Sequence, residues 1–231
     1  MKRAGHAMVA LLLAGCATRT GVEIEEVSAL VQEEPQPTAF RRTARLELEG
    51  ETLSGSFTLV LVGRRNMDGG IELRLQALPE FGPKLLDIVA SHERVTGFFP
   101  ATGDSVRYSP DDGSAPPLHI LTFIAASCLE REAPLAPRRI VRGWRGSHDE
   151  LILELRGALR SVRVEATLQE GALTRRQYEL RGVRWTEDIS GTTRSFMAPG
   201  MTWRVSELGL ESLDHVPDAL LELSVPGHLP P

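Results

Sequence analysis

The sequence predicts a mainly β (α+β) fold: a single large antiparallel sheet curled into a half-barrel, with an N-terminal helix and a mid-chain helix covering its apolar face. Three observations predict it. Successive stretches alternate apolar and polar residues with a period of two, short turn-rich connections join them, and only two stretches carry helical spacing. A sheet this long with one apolar face must curl, and the helices are what can cover that face.

The chain opens on a different signal. Lys2 and Arg3 precede a short apolar run, Ala7 to Leu13. That run is well below the roughly 18 to 20 apolar residues of a membrane-spanning helix. A basic start, an apolar centre and small residues are instead the pattern of a cleaved signal peptide, here residues 1–15. Leu13-Ala14-Gly15-Cys16 resembles the lipobox of bacterial lipoproteins. The resemblance implies cleavage before Cys16, a diacylglycerol on its thiol and an N-acyl chain on its amine. Each buried methylene contributes roughly 0.8 kcal/mol, so two or more chains hold a protein stably on a membrane. Ala17 occupies the position where an Asp would argue for retention at the inner membrane. The expected location is therefore the periplasmic face of the outer membrane.

Cleavage leaves a little over 200 residues, enough for one barrel-sized domain with a real core. The formal charge of −5 becomes −7 once Lys2 and Arg3 are gone, which excludes a basic field for nucleic acid. With Cys16 acylated, Cys128 has no intramolecular partner, so no disulfide framework is expected. Cys128 lies in an apolar helical stretch and reads as a buried small hydrophobe.

Within residues 16–38, read as lipidated terminus, tether and amphipathic helix, Ile24, Val27, Leu30 and Val31 share a helical face, and Pro35 and Pro37 end the pattern. Residues 39–231 form the half-barrel domain. FRRTARLELEG and TLSGSFTLVLVG alternate strictly and read as a hairpin, with Arg42 the one charged residue on the apolar side. GIELRLQAL follows an Asp-Gly-Gly turn, and KLLDIVAS and RVTGFFP complete a five-strand meander. SPDDGSAPP is a turn-rich linker, after which LHILTFIAASCLERE presents a broad apolar helical face. Further strands are expected in ELILELRG, SVRVEATLQ, RRQYELRGVRW, MTWRVSEL and ALLELSV, with Gly182 a bulge inside the third of these.

No catalytic constellation emerges. The histidines His92, His119, His148, His215 and His228 are scattered outside any metal-ligand spacing, and no nucleophile elbow occurs. Asp111-Asp112-Gly113 lacks the further oxygen ligands of a calcium loop and reads as a turn. Trp144, Trp185 and Trp203 fit a core or cavity lining better than a sugar platform. No enzyme, metal site or noncovalent cofactor is expected.

The order of lipobox, amphipathic helix, five-strand meander, turn-rich linker, helix and further strands resembles the outer-membrane lipoprotein receptors of the lipoprotein-localisation (Lol) pathway, and more loosely the periplasmic carrier of the same fold. The resemblance is clearest from FRRTARLELEG to SVRYSPDD and fades in the C-terminal half. LPEFG, Leu78 to Gly82, looks like the family's turn between the third and fourth meander strands, where an apolar side chain helps insert cargo into the membrane. Phe81 would take that role. Glu80 beside it, and the lack of several family aromatics in the first helix and second strand, depart from the pattern.

The resemblance implies a non-enzymatic lipoprotein that binds acyl chains, lipoprotein cargo or a periplasmic carrier. Leu46, Phe57, Leu59, Leu73, Leu75, Phe99, Leu121 and Ile124 would line or cover an acyl-chain cavity. A structural or accessory envelope lipoprotein with a filled core and a protein partner is the other expectation, because alternation alone does not separate a cavity lining from a sealed core.

Overall fold

In a computed structural model, the described residues are 20–23, 26–27, 36–50, 54–66, 70–100, 103–109, 120–133, 135–147 and 150–223. They form fourteen strands and one α-helix: β1 Thr20–Val22, β2 Ala39–Gly50, β3 Gly55–Arg65, β4 Ile71–Leu78, β5 Leu86–Ala90, β6 Val95–Phe99, β7 Asp104–Tyr108, α1 Ile120–Glu132, β8 Ile140–Arg145, β9 Leu151–Arg156, β10 Arg163–Gln169, β11 Ala172–Leu180, β12 Val183–Ser190, β13 Thr193–Ala198 and β14 Met201–Leu213. All the strands join one antiparallel sheet in the order β1-β8-β9-β10-β11-β12-β13-β14-β2-β3-β4-β5-β6-β7. β1 and β7 are its two edges and do not pair with each other, so the sheet curls without closing.

The alternation in the sequence sets which face turns inward. Along β4 the burial strictly alternates, with Ile71, Leu73, Leu75 and Ala77 inside. Register carries the apolar row across strands: Leu61 faces Leu75, Leu75 faces Ile88, and Ile88 faces Gly97. The curl wraps this face around α1. One wall is β4, β5 and β6, and the opposite wall reaches the helix through Trp185 of β12, whose ring lies 4.8 Å from that of Phe123. Leu121 to Glu130 are all buried, so α1 sits deep against the apolar face of the sheet that it covers.

Gly97 explains how the helix comes so near. It is an inward position without a side chain, and a Cβ placed there would stand 3.6 Å from the Cβ of Leu121.

Several expectations are corrected. Gly182 is not a bulge: Arg181 and Gly182 both take positive φ, 51° and 79°, and Leu180 pairs directly with Val183. This is the left-handed pair that a two-residue hairpin requires, so RRQYELRGVRW is two strands. ALLELSV is not a strand where it is described, since Asp218–Leu221 form a 3-10 turn whose Leu221 packs with Ala39 and Val216. β7 extends the meander to six strands, and β1, β8 and β13 were unmarked, being short or, in β8, interrupted by Gly143. Of the amphipathic helix, Glu26 and Val27 are described and helical, with Val27 fully buried, and the remainder lies outside the described residues, as do Cys16 and the linker from 110 to 119.

Candidate functional site: the filled interior of the curl

The predicted cavity residues converge. Leu46, Leu59, Leu73, Leu75, Leu121 and Ile124 are buried in one cluster, with Phe57 and Phe99 packed at its margin. The space between them is small: Ile124 and Cys128 of α1, with Leu46, Leu59, Phe196 and Trp203 of the sheet, surround a void of about 20 Å³. That is room for one water molecule, and α1 itself fills the rest of the interior.

The two ends of α1 are held differently. Its N-terminal half packs apolar side chains on β4 to β6, while its last turns bury charge. Arg42 of β2 donates to Glu132 through Nε at 2.8 Å and to Glu207 of β14 through Nη1 at 2.5 Å. Arg65 of β3 donates to the Glu132 carbonyl at 2.9 Å and to its carboxylate at 3.2 Å, and Arg131 reaches across to Glu207. Glu130 accepts from Arg139 at 2.6 Å and from the Ala158 backbone at 2.9 Å. Four arginines and three glutamates thus give the helix end a polar socket.

A second buried cluster lies under the middle of the helix. Glu187, fully buried on β12, accepts from Arg194 at 2.6 Å, from Arg176 at 3.2 Å and from the Tyr178 hydroxyl. Burial alone would raise the Glu187 carboxyl, but the Arg176 and Arg194 charges overcome it and hold it below the ordinary range. Burial, with Glu187 adjacent, pushes the Tyr178 phenol well up, so it stays a hydrogen-bond donor. Tyr178 stacks on Trp185 at 4.9 Å, and the Trp185 indole donates to Ser127 of α1 at 3.0 Å. This cluster was missed in the sequence, although Arg176 is in phase with Tyr178 and Leu180, and Glu187 with Trp185. Nε of Arg176 is buried without a hydrogen-bond partner.

Cys128 is buried on α1, where loss of solvent pushes its thiol up to about 12. Among the described residues no group of His, Cys, Asp and Glu could hold a metal ion.

Phe81 stands apart from all of this. It lies in the β4–β5 loop and is 85% exposed, with Glu80 exposed beside it. The loop is pinned at its base, where the Leu85 amide donates to the Ala77 carbonyl at 2.8 Å and Lys84 pairs with Asp87 at 2.8 Å. An aromatic held out from a rigid base is an exposed apolar tip.

No protein-family model and no curated protein sequence matches the chain. Solved structures do. A domain described as an outer membrane lipoprotein-sorting protein from Vibrio parahaemolyticus is similar at 12% identity and a TM-score of 0.58, over 87% of this chain and 95% of that one. A LolA superfamily protein from Nitrosomonas europaea is similar at 12% identity and a TM-score of 0.54, over 87% and 98%. A DUF1329 family protein from Desulfovibrio piger is similar at 11% identity and a TM-score of 0.54, over 86% and 94%. Each of the three is matched along nearly its whole length, and the chain has the LolA/LolB-like fold.

Proposed function

We propose that this chain is a lipid-anchored envelope protein whose curled sheet binds acyl chains or the lipidated end of a lipoprotein cargo, in lipoprotein reception, insertion or a related transfer, without catalysis. The observation that carries this reading is the fastening of α1. Glu130 and Glu132 are buried against arginines of the sheet and of the chain that follows α1. Desolvation offsets most of the attraction in such pairs, and an apolar filling would serve a permanent core at least as well. On this reading α1, held at its last turns by ionic contacts, gives way when an acyl chain reaches the apolar face. With α1 displaced, a space about 10 Å across opens over Leu46, Leu59, Leu73 and Leu75.

Other features support the same reading. The fold is shared with a domain described as lipoprotein-sorting. The lipobox makes Cys16 the anchor, with diacylglycerol and N-acyl chains, and Ala17 favours the outer membrane. Phe81 offers an apolar side chain where a bilayer or cargo acyl chains would meet the protein.

The void of only about 20 Å³ favours a second reading, an accessory lipoprotein with a filled core and a protein partner. Lipid extraction and mass spectrometry of the purified protein, with titration of a fluorescent fatty acid, separate the two. The carrier retains lipid or binds the fatty acid saturably; absence of both supports the filled core.

A further inference from the structure

The N-terminal strand fixes where the lipid anchor emerges. β1 begins at Thr20, whose backbone pairs with Arg145, and Gly21 and Val22 continue the ladder on Trp144 and Gly143. Only three residues separate Thr20 from Cys16. Four Cα steps reach at most about 14 Å, even fully extended.

The same segment is fastened a second time just beyond β1. Val27 is fully buried, with its side chain against Gly143, and Glu26 pairs with Arg145. Val22 packs on the main core. The sheet therefore begins within four residues of Cys16, at Thr20.

We propose that this seam docks the protein on the bilayer that holds its own anchor, with the β1–β8 edge and Gly146 and Ser147 beyond it against the lipid headgroups. The inference rests on acylation of Cys16. Acyl chains in the hydrocarbon place Cys16 in the headgroup layer, so Thr20 and Arg145 lie within one short tether of it. Trp144 is on this end, half-buried, with the Arg142 guanidinium 5.9 Å from its ring centroid. An indole with an apolar body and a polar rim is the side chain that collects at membrane interfaces.

The geometry also names the far pole. β9 starts beside the Arg145 turn and ends at Arg156, about 17 Å away. Beyond Arg156, the Arg160 amide donates to the His92 carbonyl at 2.8 Å and His92 Nδ1 lies 2.9 Å from the Ala158 carbonyl. The β5–β6 turn is thus pinned to the end of β9 opposite the anchor. β5, which begins under the Phe81 loop, ends at this same bridge, so that loop too faces away from the far pole.

The test uses the full acylated chain in phosphatidylethanolamine and phosphatidylglycerol vesicles. Ser147→Cys and Glu93→Cys each carry a fluorophore at an exposed turn, one at each pole, and headgroup-spin-labelled lipid is the quencher. The proposal expects quenching several-fold stronger at 147 than at 93, and expects an inserted Gly/Ser segment between Ala17 and Thr18 to equalise them while the protein still floats with the vesicles. Equal quenching before insertion, in protein that floats, overturns the docked orientation alone. Failure to float, with no fatty acid on Cys16, overturns the anchor and the orientation together.

Discussion

Arg42 and Glu132 join the sheet to the last turn of α1, Nε to Oε1 at 2.8 Å, with the glutamate fully buried and the arginine nearly so. The arginine is the one charge that interrupts the apolar alternation of β2, and Glu132 is its reason for being there. Removing one partner from a buried pair costs about 3 to 5 kcal/mol, because the other charge is left without compensation. Arg42→Leu is expected to lower stability by about that amount and to speed uptake of a fluorescent fatty acid. Stopped-flow uptake at the parental rate, despite the stability loss, would make the contact structural only.

Cys128 reports on the same motion. Buried on α1 with its thiol pushed up to about 12, it should resist a thiol-reactive dye in the native protein at pH 8 and react at once in denaturant. Arg42→Leu should raise the native labelling rate. Rapid labelling of the native parent would show that the helix is already loose.

Acid should weaken the fold through two carboxylates. Burial would raise Asp87, but hydrogen bonds from Arg74 and Lys84 hold it below its ordinary value; Glu187 is held down by Arg176 and Arg194. A carboxylate whose folded pKa is depressed contributes stability that is complete above its unfolded pKa of about 4 and is lost as pH falls through the folded value. Urea midpoints should hold between pH 7 and 5 on this account and drop below pH 4. Asp87→Asn and Glu187→Gln should flatten that acid limb while lowering stability at pH 7; an unaltered acid limb in both variants would remove these groups as its cause.

Phe81→Glu should leave the melting temperature unchanged, since a substitution at so exposed a position shifts stability by less than about 0.5 kcal/mol. Association of the non-acylated protein with vesicles should fall. A lowered melting temperature with vesicle binding intact would give Phe81 a packing role instead.

Much of this architecture was legible because the apolar period of two is strong where one face is buried. β2, β3 and β4 each carry four or more alternating positions, and their register follows from it. β8 and β13 were not legible: IVRGWR has a glycine at an inward position, and TRSFMA is six residues between turns. The cavity residues were found because large apolar side chains in phase must face one another. Whether they enclose space was not, since that depends on how far α1 sinks into the curl, and Gly97, a residue without a side chain, decides it. Nothing in the order of residues marks Glu130 and Glu132 as interior; the arginines that three-dimensional folding brings from residues 42, 65 and 139 make them so.

The displacement of α1 is the claim on which the rest depends, and Gly97 with Leu121 tests it. Their Cβ positions, 3.6 Å apart, suit a disulfide, and replacing Leu121 also clears the contact its Cδ1 would make. In a soluble Cys16→Ser background, Gly97→Cys with Leu121→Cys should fold, crosslink on oxidation, lose saturable binding of a fluorescent fatty acid and regain it on reduction. Undiminished binding with the crosslink fully formed would contradict displacement of the helix and leave α1 a permanent part of the core.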